Sequence, residues 1–192
     1  MTDNFLKAIR PLLDPSPAET EMILSLFLPQ TYKKGEYFLA EGQVCRYAGF
    51  IGKGLVRYYI NHEGEEKTYE FGQENNFVCN YESFLPQLPS TKIIQALEDC
   101  EILQISYPAL QDLYRSVRGG ERFGRLVIEQ VFVQLLQALA SLYTDTPEQR
   151  YTKLLNERPA LLQRVSQYHI ASYVGIKPQS LSRIRKRILV QK

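Results

Sequence analysis

At 192 residues, 44% apolar and 23% charged, the chain is long enough to bury a core in one large domain or two small ones, and its composition is globular. No unbroken run of about 18 or more apolar residues appears, and MTDNFLKAIRPLLD lacks a signal peptide's basic start, apolar centre and small-residue cleavage site, so a cytoplasmic protein with no membrane partner is expected. The net charge of +2 averages a divided chain: residues 144–192 hold ten Lys or Arg against three Asp or Glu, leaving thirteen bases and eighteen acids upstream, so only the end is expected to meet a polyanion.

In chain order, Ser16-Pro17-Ala18-Glu19 carries a serine cap, a proline at the first helical position and a glutamate able to close a capping box, which predicts a short helix through Leu26. From Thr31 to about Ile105 the texture turns β-branched and aromatic, in short runs broken by glycine. Gly52-Lys53-Gly54 and His62-Glu63-Gly64 read as tight turns between antiparallel strands, and the spacing predicts a small barrel or sandwich. The three cysteines, Cys45, Cys79 and Cys100, form no CxxC pair, and His62 and His169 are the chain's only histidines. No metal site, no cofactor and no catalytic residue is expected from that set, and the thiols are expected free or buried.

Helical texture begins at Pro108. After Gly119-Gly120 comes the longest periodic segment, with Ile128, Val131, Leu135, Ala138 and Leu142 in one stripe and Phe132, Leu136, Leu139 and Tyr143 beside it. The first stripe has the alternating three-and-four spacing of a coiled-coil seam, which predicts a parallel homodimer; a helix sandwiched inside a single domain is the alternative. Thr146-Pro147-Glu148-Gln149 caps a new helix, and the junction between domains is placed at Thr144–Pro147.

Within the last fifty residues, Ser166 caps a short apolar helix that Gly175 ends, and Pro178 opens another in which Leu181, Ile184 and Ile188 face inward. Gln179, Ser182, Arg183, Lys186 and Arg187 then face out. Arginine pairs in bidentate fashion with guanine and glutamine with adenine, in a major groove of about 12 Å that admits one helix. Ser180, Arg185 and the helix start at Ser166 are placed for phosphates. Helix, glycine, helix also occurs in many proteins that never touch DNA. The charge division, the ArgIleArgLysArg cluster and the preceding dimer helix together favour double-stranded DNA, since a dimer holding two such helices about 34 Å apart matches successive major grooves.

From LLQRV through IASYVGIKPQSLSRIRK, and in the order of its parts, the chain from residue 31 to 192 resembles the Crp/Fnr family of bacterial transcription regulators. The resemblance implies an α+β chain: an antiparallel β jelly roll like the cyclic-nucleotide-binding domain over 1–143, ending in a long dimerisation helix at about 120–143, then a winged helix-turn-helix over 144–192. It further implies a homodimer, RNA polymerase as a partner, and base contacts at Pro178, Gln179, Ser182 and Arg183. Nucleotide-binding members carry Phe-Gly-Glu-Leu followed by Arg-Ser or Arg-Thr. Here Phe77-Val78-Cys79-Asn80-Tyr81 and Ser90-Thr91 stand in those places, without the phosphate-pairing arginine, so tight binding of cyclic AMP is not expected. A pocket of Cys79, Asn80, Tyr81, Phe84, Ser90, Thr91, Leu135 and Leu136 would suit an unidentified apolar effector, and an unliganded packed core fits the same residues. Two further readings are a cupin-like small-molecule-binding barrel or enzyme with a basic tail, which needs a metal, and an interaction module whose tail meets a membrane or RNA.

Overall fold

The computed structural model describes residues 1–190, with side chains to Ile188. Ahead of the predicted first helix stands α1 (Thr2–Leu13), which buries Phe5, Ile9 and Leu13 at helical spacing. The Phe5 ring lies 4.5 Å from that of Phe27 and 5.4 Å from that of Phe50. α2 (Pro17–Leu26) starts as its sequence predicts: the Glu19 amide donates to Ser16 Oγ (3.3 Å), and the Ser16 amide donates back to Glu19 Oε2 (2.9 Å).

Eight strands follow: β1 (Leu28–Tyr32), β2 (Tyr37–Leu39), β3 (Tyr47–Lys53), β4 (Val56–His62), β5 (Glu65–Gly72), β6 (Phe77–Val78), β7 (Lys92–Ala96) and β8 (Cys100–Ser106), with the one-turn helix α3 (Tyr81–Phe84) between β6 and β7. They form two four-stranded sheets, ordered β1-β8-β3-β6 and β2-β7-β4-β5, which is the expected roll. β8 is antiparallel to both β1 and β3, with Pro29 and Phe50 flanking Leu103.

The two glycine turns do different things. Glu63 (φ 52°) and Gly64 (φ 79°) make the expected two-residue hairpin turn between β4 and β5. Gly52-Lys53-Gly54, expected as a hairpin turn, is instead a corner, because β3 and β4 belong to different sheets. Gly54 has φ 97°, and a Cβ there would lie 2.7 Å from the Asp99 carbonyl oxygen. Both features require glycine at this corner. Gly54→Ala is expected to cost about 2–3 kcal/mol in denaturant unfolding; an unchanged midpoint would mean that the corner is not strained.

After β8 the chain is helical: α4 (Tyr107–Ser116), α5 (Gly120–Thr144), α6 (Pro147–Glu157), α7 (Leu161–Arg164), α8 (Gln167–Val174) and α9 (Pro178–Val190). Among the described residues no strand follows Ser106, so the wing expected beside the last two helices is not found there. LLQRV, between α6 and α8, forms the helical turn α7, with the Val165 amide bonded to the Leu161 carbonyl (3.0 Å) and Leu161 buried.

The chain divides into two compact units, Met1–Tyr58 with Phe71–Val131, and Tyr59–Glu70 with Phe132–Lys192. The core of the first unit joins α1, α2 and the roll to the start of α5 through an aromatic chain in which Phe50 meets Phe77 (5.5 Å) and Phe77 meets Phe123 (6.1 Å). Inside the second unit the outer part of the β4–β5 hairpin is bonded to α8. Ser172 Oγ accepts from the Thr68 amide and donates to the Glu66 carbonyl, each at 2.9 Å, and Arg158 pairs with Glu70 at 2.7 Å.

Candidate nucleic-acid interface and effector pocket

The turn that presents the last helix is built as its residues predict. Ser166 Oγ accepts the His169 amide (3.2 Å) and caps α8. Gly175 ends that helix in the left-handed region (φ 79°), and the Ile176 amide donates back to the Ala171 carbonyl (2.9 Å). The Lys177 carbonyl then accepts the Ser180 amide (3.0 Å), and α9 begins at Pro178. Leu181 and Ile184 are buried, as are Ile170, Ala171 and Val174 of α8, while Ile188 is half-buried.

That packing leaves Gln179, Ser182, Arg183, Lys186 and Arg187 exposed, with Pro178, Ser180 and Arg185 half-buried beside them. The cations are not equivalent. Arg187 is paired with Glu148 of α6, whereas among the described residues Arg183, Arg185 and Lys186 have no ion-pair partner. Elsewhere in this unit Lys153 is paired with Asp145, Arg158 with Glu70, and Arg150 is turned onto backbone carbonyls. By charge count all of these are equivalent; the structure holds several in internal contacts and leaves Arg183, Arg185 and Lys186 of α9 without ion pairs among the described residues. Lys192 lies outside the described residues.

Upstream, the buried residues of α5 all lie in its first turns. Gly120, Phe123, Gly124 and Val127 are buried, and from Ile128 onward both apolar stripes are bare. Leu135 and Leu142 are each 61% exposed, and Leu136, expected to face the roll, is 48% exposed. Phe132, Leu139 and Tyr143 are exposed as well, while Gln130, Gln134, Gln137 and Ser141 run along a polar stripe. By length and composition this helix could cross a membrane, with a mean hydropathy of 1.5 over 18 residues. The same helix carries a row of amides and the Arg125–Glu129 ion pair (2.5 Å).

The segment from Asn80 to Ser90, expected from the family resemblance to stand at a nucleotide phosphate, is closed by its own bonds. Asn80 and Ser90 are 6% and 5% exposed. Ser90 Oγ accepts from Asn80 Nδ2 (2.6 Å) and from the Lys92 amide (2.9 Å), and donates to the Lys92 carbonyl (2.9 Å). One donor and two acceptor sites are all that a hydroxyl has, so nothing is left for a phosphate oxygen. The Ser90 backbone is used too, its carbonyl by the Gly42 amide (2.7 Å) and its amide by the Gln43 carbonyl (2.9 Å). Lys92, the cation of this segment, is paired with Glu82.

The thiol and phenol beside Asn80 are uncharged. Burial holds the Cys79 thiol and the Tyr81 phenol well above their ordinary pKa values, so both stay neutral. Cys45 alone is shifted downward, by the hydrogen bond from Cys79. Phe84 is fully buried, its ring 5.5 Å from that of Tyr107, and Thr91 faces out. Cys79, Asn80, Tyr81, Phe84 and Ser90 are thus gathered into one packed cluster; Leu135 and Leu136 are exposed on α5. A small cavity of about 30 Å³, lined among others by Tyr81, Tyr114, Phe123 and Gly124, lies between α4, α5 and the β1-β8-β3-β6 sheet. Among the described residues no three His, Cys, Asp or Glu side chains come together as metal ligands.

Residues 29–117 match the cyclic nucleotide-binding domain family. No curated protein sequence matches the chain. Among solved structures, it is similar to a CooA mutant from Carboxydothermus hydrogenoformans (TM-score 0.70, 18% identity, covering 88% of this chain and 79% of that one). It is similar also to FixK2 of Bradyrhizobium japonicum (0.72, 16%, 86% and 85%) and to the c-di-GMP responsive global regulator CLP of Xanthomonas campestris (0.67, 18%, 92% and 93%). The fold is that of the Crp/Fnr regulators.

Proposed function

We propose that this chain, a cyclic nucleotide-binding-domain protein with the Crp/Fnr fold, is a homodimeric regulator of transcription that reads DNA sequence through α9. The observation that carries the reading is the exposed face of α9. Arg183 and Lys186 point to solvent without acidic partners among the described residues, on a helix seated by Leu181 and Ile184. A guanidinium in that setting reaches a base edge without first breaking an ion pair. Gln179, Ser182 and Arg183, with Pro178, are the base-reading set; Ser180, Arg185, Lys186, Arg187 and the start of α8 at Ser166 meet phosphates and fix register.

Pairing through α5 supplies the second copy of this face. Ile128, Val131, Leu135, Ala138 and Leu142 form a seam that water otherwise wets, and burying it against the same seam of a second chain gives a parallel coiled coil. The domain that reads DNA is taken as 144–192 and the remainder, 1–143, as the effector domain, working in the cytoplasm with RNA polymerase as the downstream partner. The likeness to the global regulator CLP supports a non-enzymatic role.

The saturated Ser90 hydroxyl and the neutral Cys79–Tyr81 neighbourhood support an effector domain that does not hold cyclic AMP. Titrating cyclic AMP into the protein is expected to give no saturable heat at micromolar concentration; a stoichiometric isotherm would overturn this part of the reading. Any effector is instead an apolar molecule that displaces part of the packed cluster. DNA reading itself is tested by selecting bound duplexes from a random pool.

A further inference from the structure

Arg150 sits in the first turns of α6, the helix whose start is fixed by the capping box of Thr146 and Gln149. Its guanidinium turns away from solvent. Nε and Nη2 both donate to the Val174 carbonyl (3.1 and 2.8 Å), the last residue of α8. Nη1 donates to the Asp145 carbonyl (2.6 Å) and makes a longer contact with that of Ser141 (3.5 Å), at the end of α5. One cation therefore lies between the carboxyl ends of two helices, where unpaired carbonyls and the negative pole of each helix dipole favour it.

Both ends of this bridge are themselves held. The Asp145 carboxylate takes bonds from Lys153 (2.6 Å) and Ser141 (2.6 Å), and these partners hold its pKa below the usual value. On the other side, Gly175 follows Val174 so closely that a Cβ on it would lie 3.4 Å from Arg150 Nη2. The turn leading into α9 is thus laid directly on the guanidinium.

We propose that Arg150 is a positioning residue: its planar fork ties the last turn of α5 to the turn between α8 and α9, so that the pairing helix and the reading helix are oriented as one body. This rests on the regulator reading for its purpose, though not for its geometry. Lysine carries the same charge as a single point and cannot make the fork.

The test uses the full chain with nitroxides carried on p-acetylphenylalanine at positions 137 and 182, diluted with unlabelled chain so that only distances within one molecule are read by pulsed EPR. The unsubstituted protein is expected to give one narrow distance, R150A a broad distribution at unchanged far-ultraviolet circular dichroism, and R150K an intermediate one. Unlabelled R150A is expected to lose tenfold or more on the selected duplex while its affinity for random duplex changes less than threefold, a split that partial unfolding would not produce. A distribution in R150A as narrow as that of the parent overturns the inference. Should R150A fail to fold, R150K decides in its place: broadening supports the fork and an unchanged width overturns it. If the parent selects no duplex at all, the regulator reading falls, and the EPR widths still judge the bridge on their own.

Discussion

Leu135→Asp is expected to turn the dimer into a monomer and to abolish tight binding to the selected duplex. Leu135 lies at the centre of the five-residue seam and is 61% exposed in the single chain, so the substitution removes nothing from the core of either unit. In a paired helix the aspartate would meet its own copy, placing two carboxylates in an apolar seam. Sedimentation should report the monomer mass with an unchanged thermal transition for the roll. Losing the link between two half-site contacts is expected to lower duplex affinity by about 10²–10⁴-fold. Gln134→Asp, one residue away on the polar stripe, is the control and should remain paired. A Leu135→Asp protein that stays dimeric would place the seam elsewhere on α5, and one that is monomeric yet binds the duplex undiminished would separate pairing from reading.

The second large effect is expected at Arg183. Its side chain is exposed on α9, and no carboxylate competes for it among the described residues. Arg183→Ala is expected to cost about 1–3 kcal/mol on the selected duplex, with relaxed choice at a single base pair, which is about 5- to 150-fold in affinity. Arg187→Ala should cost less, because Arg187 must leave Glu148 before it can reach a phosphate. Binding curves on the selected duplex and on single-base variants distinguish the two roles. A loss at Arg183 that is uniform across all variants would make it a phosphate contact, and the base-reading role would then pass to Gln179 or Ser182.

The features legible in the sequence are those whose physics is local. The capping boxes at Ser16–Glu19 and Thr146–Gln149 each need only four residues, and both form. Gly175 takes the left-handed conformation that its place after Val174 predicts, and the inward set Leu181 and Ile184 follows from helical spacing alone. α1 was equally readable: Phe5, Ile9 and Leu13 fall on one face, yet the expected helices began only at Ser16.

What stayed hidden depends on neighbours distant in the chain. Nothing in Gly52-Lys53-Gly54 says that the strands on either side enter different sheets; that follows from β3 pairing with β8 and β6. Ser90 reads as a lost arginine, while its bond to Asn80, ten residues back, emerges only in the folded chain. Arg150 illustrates the same limit most plainly. In a charge count it is one of ten bases, and only tertiary structure brings Val174, twenty-four residues on, to its guanidinium. The seam of α5 is the intermediate case, since its period is written in the sequence but its bareness past Val127 is a property of the folded chain.

The most direct measurement is selection from a pool of random duplexes by the purified full-length protein, with the mass of the bound species determined alongside. Enrichment of a two-fold symmetric site whose half-sites lie about one helical turn apart is expected, bound by two chains, with choice relaxed at a single base pair on Arg183→Ala. A monomer that enriches nothing from the pool would contradict the regulator reading.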